Sequence, residues 1–156
     1  MESDRLTPFA DAFERTHGRL WRALLAYTGD GDVASDAAAE AYAQAVRREV
    51  EIVDVDAWVW RSAFRIAAGE LGRRRDDGVH VTVPDAAERD REPAWDLIDA
   101  LGEVTDRQRQ ALVLRYVGGY SAPEIARRLD TTAGSIRVSL LRGRRALRTI
   151  LEDSDD

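Results

Sequence analysis

The 156-residue chain contains no cysteine and no lysine, one methionine and two histidines. Without thiols there is no disulfide framework and no thiolate metal site. His17 and His80 lie far apart in sequence, with no ligand-like spacing to a partner, so no metal is expected. No apolar run approaches the roughly 18–20 residues that a membrane span needs. The stretch MESDRLTPF is acidic and lacks an apolar signal segment, so export is not expected and a cytoplasmic location fits. Catalytic signatures are missing too: there is no Gly-rich phosphate loop, no Ser/His/Asp set in context and no clustered His–Glu motif. No carboxylate sits in an apolar run that would raise its pKa. The composition therefore points away from an enzyme and from a bound cofactor.

What the chain does have is arginine, unevenly placed. All 23 basic residues are arginine against 29 acids, a net charge of −6. Residues 1–103 carry 13 arginines and 22 acids, a net of −9. Residues 104–151 carry 10 arginines and three acids, a net of +7, and the last five residues are acidic again. An acidic front and a basic back suggest two modules that face different partners. Each arginine offers a planar fork suited to phosphate or to a guanine edge.

The periodicity predicts an all-α chain: two small helical domains, residues 1–75 and 95–156, joined by a flexible linker over 76–94. Phe9, Phe13, Leu20, Leu24 and Tyr27 recur at helical spacing over 8–28, and GDGD at 29–32 breaks the chain. Residues 33–48 form an alanine-rich helix with early acids and a final Arg47–Arg48. Acidic EVEIVDVD (49–56) reads as a loop or short extended piece. A third helix over 57–75 places Trp60, Phe64, Ala67 and Leu71 on one stripe. The linker has two prolines, many charges and no sustained period, so its VHVTV segment is taken as coil.

The second module has four helical segments. A short one spans Trp95 to Gly102. The next follows Thr105, offers Ala111, Leu112, Leu114 and Tyr116 as apolar surface, and stops at Gly118–Gly119. Ser121 with Glu124 three residues later is a capping box, and Pro123 sits in the first turn. Thr132 can cap the last helix, 133–151. A short capped helix, a brief turn and a longer helix make a helix-turn-helix pattern. On the last helix Ile136, Leu140, Gly143, Leu147 and Ile150 form one stripe, which must face the core. Arg142 and Arg145 fall opposite, Arg137 and Arg148 on a flank, and Ser135 and Val138 point outward near Thr132. Short side chains at the helix start with arginines behind them suit a major groove. Arg127 and Arg128, ending the preceding helix, suit phosphate contact.

The segment VTDRQRQALVLRYVGGYSAPEIARRLDTTAGSIRVSLLRGRRALR resembles the C-terminal DNA-binding region of bacterial extracytoplasmic-function (ECF) RNA polymerase sigma factors. ASDAAAEAYAQAV resembles that family's polymerase-binding helix, and AWVWRSAFRIAAGELGRRR its promoter-melting helix. The resemblance implies a factor that docks on core RNA polymerase and directs transcription initiation at promoter DNA. The second module would read the −35 element and the first would engage the −10 element. It further implies Asp36 and Glu40 as polymerase contacts, and an anti-sigma factor as a partner usual in the family. Trp60, Arg61 and Arg65 would face the single strand, where an aromatic ring can stack on a base.

The sequence departs from the family pattern at several points. Ala37, Ala38 and Ala39 replace bulkier residues, Arg65 stands where asparagine is usual, and Gly69 where aspartate is usual. Four carboxylates, Glu49, Glu51, Asp54 and Asp56, crowd the segment where a base-capturing loop would lie. Two alternatives stay open: a helix-turn-helix transcriptional regulator with a sensing or dimerising first module, and a degenerate sigma-like interaction protein that no longer opens promoters.

Overall fold

A computed structural model describes residues 2–48, 52–76 and 93–154. The described chain is helical: α1 Glu2–Thr28, α2 Gly31–Arg47, α3 Val55–Asp76, α4 Pro93–Leu101, α5 Asp106–Tyr116, α6 Ala122–Leu129 and α7 Ala133–Ser154. Residues 77–92, most of the expected linker with VHVTV and His80, lie outside the described residues. The expected linker ends are helical, since Asp76 closes α3 and Pro93 opens α4.

Helices α1, α2 and α3 pack mutually as the first module. Leu20, Ala23, Leu24 and Tyr27 of α1 are buried at the spacing that puts them on one face. Phe13, expected beside them, is 46% exposed; it stacks on His17 at 4.5 Å and meets Tyr42 edge-on. Thr28 Oγ1 donates to Leu24 O, and Gly29, at φ 70°, turns the chain into α2. Asp30 caps α2 by accepting from the Asp32 and Val33 amides. The buried face of α2 is Val33, Ala34, Ala37, Ala41 and Ala45, and such small side chains let its neighbours approach closely. Asp54 accepts from the Ala57 amide, so α3 starts two residues earlier than its apolar period suggests. Its stripe is as expected: Trp60, Phe64, Ala67 and Leu71 are all buried.

The second module has explicit stops and starts. Thr105 and Gln108 form a reciprocal capping box on α5. A Cβ on Gly118 would stand 2.6 Å from Leu114 O, and Gly119 has φ 74°, so both glycines are needed where α5 ends. Tyr116, expected to supply apolar surface, is 61% exposed, while Ala111, Leu112, Val113 and Leu114 are buried. On α7, Ile136, Leu140 and Gly143 are buried and Leu147 and Ile150 half-buried, so the expected stripe does face the core. Gly143 has a steric reason: a Cβ there would lie 2.9 Å from Leu112 Cδ1.

The two modules also pack on each other. α3 contacts α6, and α1 contacts α4 and α5, within one continuous hydrophobic cluster. Tyr27 hydroxyl donates to Asp106, Arg109 reaches Tyr27 O, and Tyr120 meets Trp60 edge-on at 5.0 Å.

Candidate nucleic-acid interface

The α6–α7 hairpin owes its geometry to short-range hydrogen bonds. Ser121 Oγ accepts from the Glu124 amide while Glu124 accepts from the Ser121 amide at 3.0 Å. That amide, then the Ser121 side chain, holds the Glu124 carboxyl below the usual carboxylate range. Asp130 takes the left-handed conformation, φ 56°, and Thr132 Oγ1 accepts from the Ser135 amide at 3.1 Å to start α7. Buried Ile125 and Ile136 hold the two helices together.

With one face of α7 pinned to the core, its other face is fixed in solvent. Thr132, Ser135, Arg137, Val138, Arg142 and Arg145 are all exposed, as are Arg144 and Arg148. Arg137, Arg142, Arg145 and Arg148 make no ion pair among the described residues. Arg144 donates to Tyr116 hydroxyl at 3.0 Å, which explains why that tyrosine stays outside. Leu141, 46% exposed, lies three residues beyond Val138 and four before Arg145, on their face. The sequence reading did not single out Leu141 or Arg144, although the same helical projection places both. The outer face thus offers guanidinium donors for guanine and phosphate around two apolar side chains that can meet thymine methyls. Exposed Arg127 flanks this surface at the end of α6.

Three residues expected at nucleic acid are placed differently. Trp60 has no exposed surface; it is wedged between Phe64 and Tyr120, so in this packing it cannot stack on a base. The reason is its position on the apolar stripe of α3, where burial of a large ring outweighs exposure. Arg128, expected at phosphate, is 7% exposed and ion-paired to Asp56. Its guanidinium also donates to Glu124 O at 3.1 Å and lies 3.7 Å over the Tyr120 ring. Burial raises the Tyr120 phenol, the Arg128 cation opposing it. Arg61 is half-buried and donates to Arg127 O at 2.7 Å, a bond between the modules. Arg65 is exposed, and together Arg61, Arg65 and Arg128 line a small cavity of about 230 Å³.

Between them, α2 and α3 form a groove of about 580 Å³. Asp36 and Glu40 are exposed on its α2 side; Ala37, Ala39, Ala43 and Ile66 supply apolar lining, with Glu70 and Arg74 on α3. Glu40 accepts from Gln44 and Arg47, which hold its carboxyl below the usual range. Ala37 and Ala39, two of the alanines that depart from the family pattern, are part of this lining. Among the described residues no cluster of three or more His, Asp or Glu side chains could hold a metal ion, and no helix is long and apolar enough to cross a membrane.

Residues 94–147, from α4 through most of α7, match the family model for region 4 of sigma-70. The fold is similar to that of the sigma factor RpoE from Bartonella quintana, solved in complex with the anti-sigma factor NepR. The two share 19% identity with a TM-score of 0.76, over 93% of this chain and 97% of that one. It is likewise similar to CnrH, solved in complex with the cytosolic domain of CnrY, at 21% identity and a TM-score of 0.72, over 95% and 89%. No curated protein sequence matches at a significant level.

Proposed function

We propose that this chain is a sigma factor that binds core RNA polymerase and directs it to promoters for transcription initiation; its region 4 match and its fold support that reading. The observation that carries this is the exposed, unpaired arginine face of α7 on a region 4 hairpin. Helix α7 enters the major groove of the −35 element with Thr132, Ser135 and Val138 near base edges and Arg137, Arg142 and Arg145 at guanine or phosphate. Arg127 positions the hairpin on the backbone. The acidic groove of α2 and α3, with Asp36 and Glu40 on its rim, receives core polymerase. The −10 strand follows α3 past Arg65 and, once the modules separate, Arg61. The polymerase performs the nucleotidyl transfer in the cytoplasm, and an anti-sigma protein is the expected antagonist.

Run-off transcription with purified core enzyme and this chain tests the reading. A discrete transcript that requires the chain is expected. Firm polymerase binding without product on a selected promoter library would instead mark a sigma-like protein unable to open DNA, and no polymerase binding would mark a conventional regulator.

A further inference from the structure

We propose that the Asp56–Arg128 pair is an internal latch that holds the modules closed, the Asp56 carboxylate taking on Arg128 the place of a DNA phosphate. This rests on the sigma-factor reading and adds a regulatory state to it. The pair joins the first turn of α3 to the last turn of α6 across 72 residues of sequence. Arg128 is held there by Asp56, by Glu124 O and by the face of Tyr120, while Tyr120 covers Trp60 and Arg61 binds Arg127 O. Arg128, Trp60 and Arg61, three of the residues expected at phosphate or single strand, are therefore covered at this seam, whereas Arg127 and Arg65 stay exposed.

The same seam is costly to keep shut. Asp56 Oδ1, Arg128 Nε, Arg61 Nε and Trp60 Nε1 are buried without a hydrogen-bond partner among the described residues. Burying a charged pair requires desolvation, which unpaired donors and acceptors do not repay. A contact made this way breaks when a better-solvated anion, such as a phosphate backbone, competes for the guanidinium. Charge balance works in the same sense: an acidic first module lies against a basic second one and competes with DNA for it. The outer face of α7 stays exposed in the closed form, so first contact with duplex does not require opening.

The absence of cysteine makes the test direct. Dyes attached at Glu14→Cys and Glu152→Cys in the full chain report separation of the modules by energy transfer, and fluorescence anisotropy with a random-sequence duplex reports affinity. Asp56→Asn should lower the energy transfer and tighten duplex binding, by up to about tenfold if the closed form prevails ten to one, and by less in so far as the closed form already binds through α7. Arg128→Gln, which leaves no buried cation unpaired, should lower the transfer equally without the gain in affinity, since it also removes a phosphate ligand. Unchanged transfer in both variants, or opening by Asp56→Asn with no gain in affinity where the parent chain itself binds duplex, would overturn the latch. Opening without binding to either duplex or core polymerase by any form would uphold the hinge between modules and sink the sigma-factor reading instead.

Discussion

The two modules reach stability by different routes. The first has three long helices whose buried apolar residues are half alanine, so a few large side chains (Leu20, Leu24, Tyr27, Trp60 and Phe64) supply most of its apolar burial. The second has three short helices and the long α7, with side-chain caps starting α5, α6 and α7, packed through Leu112, Ile125, Ile136 and a glycine. Small residues line the open groove between α2 and α3. Caps and a pinned hydrophobic stripe leave α7 with one face fixed toward solvent. The contrast suits a docking surface on one side and a reading head on the other.

The largest expected effect tests how far the first module depends on its few anchors. Trp60→Ala should cost about 3–5 kcal/mol in a denaturant titration, because the ring is wholly buried against Phe64 and Tyr120. In the second module, Gly143→Val should cost about 1–3 kcal/mol by pressing branched methyls on Leu112, and Gly143→Ala less. A stable Gly143→Val protein would mean that α5 and α7 are less closely seated than they are here.

The reading head is sharpened by affinity. Arg137→Ala and Arg142→Ala should each weaken binding to a selected duplex by about 1–3 kcal/mol if they contact bases. Equal losses on random and selected duplex would assign them to phosphate alone. Raising salt should weaken both complexes steeply, because releasing phosphate counterions into a saltier solution gains less entropy.

The smallest effect is on acid stability. The Asp30 carboxyl lies below the ordinary range although burial opposes it, because Arg74 and the amides of Val33 and Asp32 favour its charged form. The unfolded chain then binds the proton more readily than the folded one. The stabilisation is complete above the ordinary carboxylate range and disappears as pH falls through the native value. Asp30→Asn keeps a good cap but loses the charge, so it should cost about 0.5–1 kcal/mol at neutral pH, given the partly exposed pair. Thermal melts from pH 7 to 3 should show a flatter acid limb for the variant. An identical limb would move the acid sensitivity to other carboxylates.

Much of the second module could be read along the chain because its determinants are local. The Ser121–Glu124 box, the Thr132 cap and the Ile136–Leu140–Gly143 stripe involve residues within a few positions of one another, and hydrogen-bond chemistry at that range is repeatable. The outward arginines of α7 follow from the stripe by geometry. Residue type was a poorer guide where burial decided the outcome. Phe13 and Tyr116 look like core residues yet stay in solvent, each occupied by a surface partner, His17 or Arg144.

The sequence by itself determined the helices, their caps, the acidic and basic halves and the hairpin that presents Arg137, Arg142 and Arg145. Tertiary structure alone decided that Trp60 fills the core, that Arg128 faces Asp56 and that an acidic groove opens between α2 and α3. The physical reason is range. Caps and stripes act between neighbours in sequence, whereas burial and charge pairing depend on surfaces that meet only when distant segments fold together.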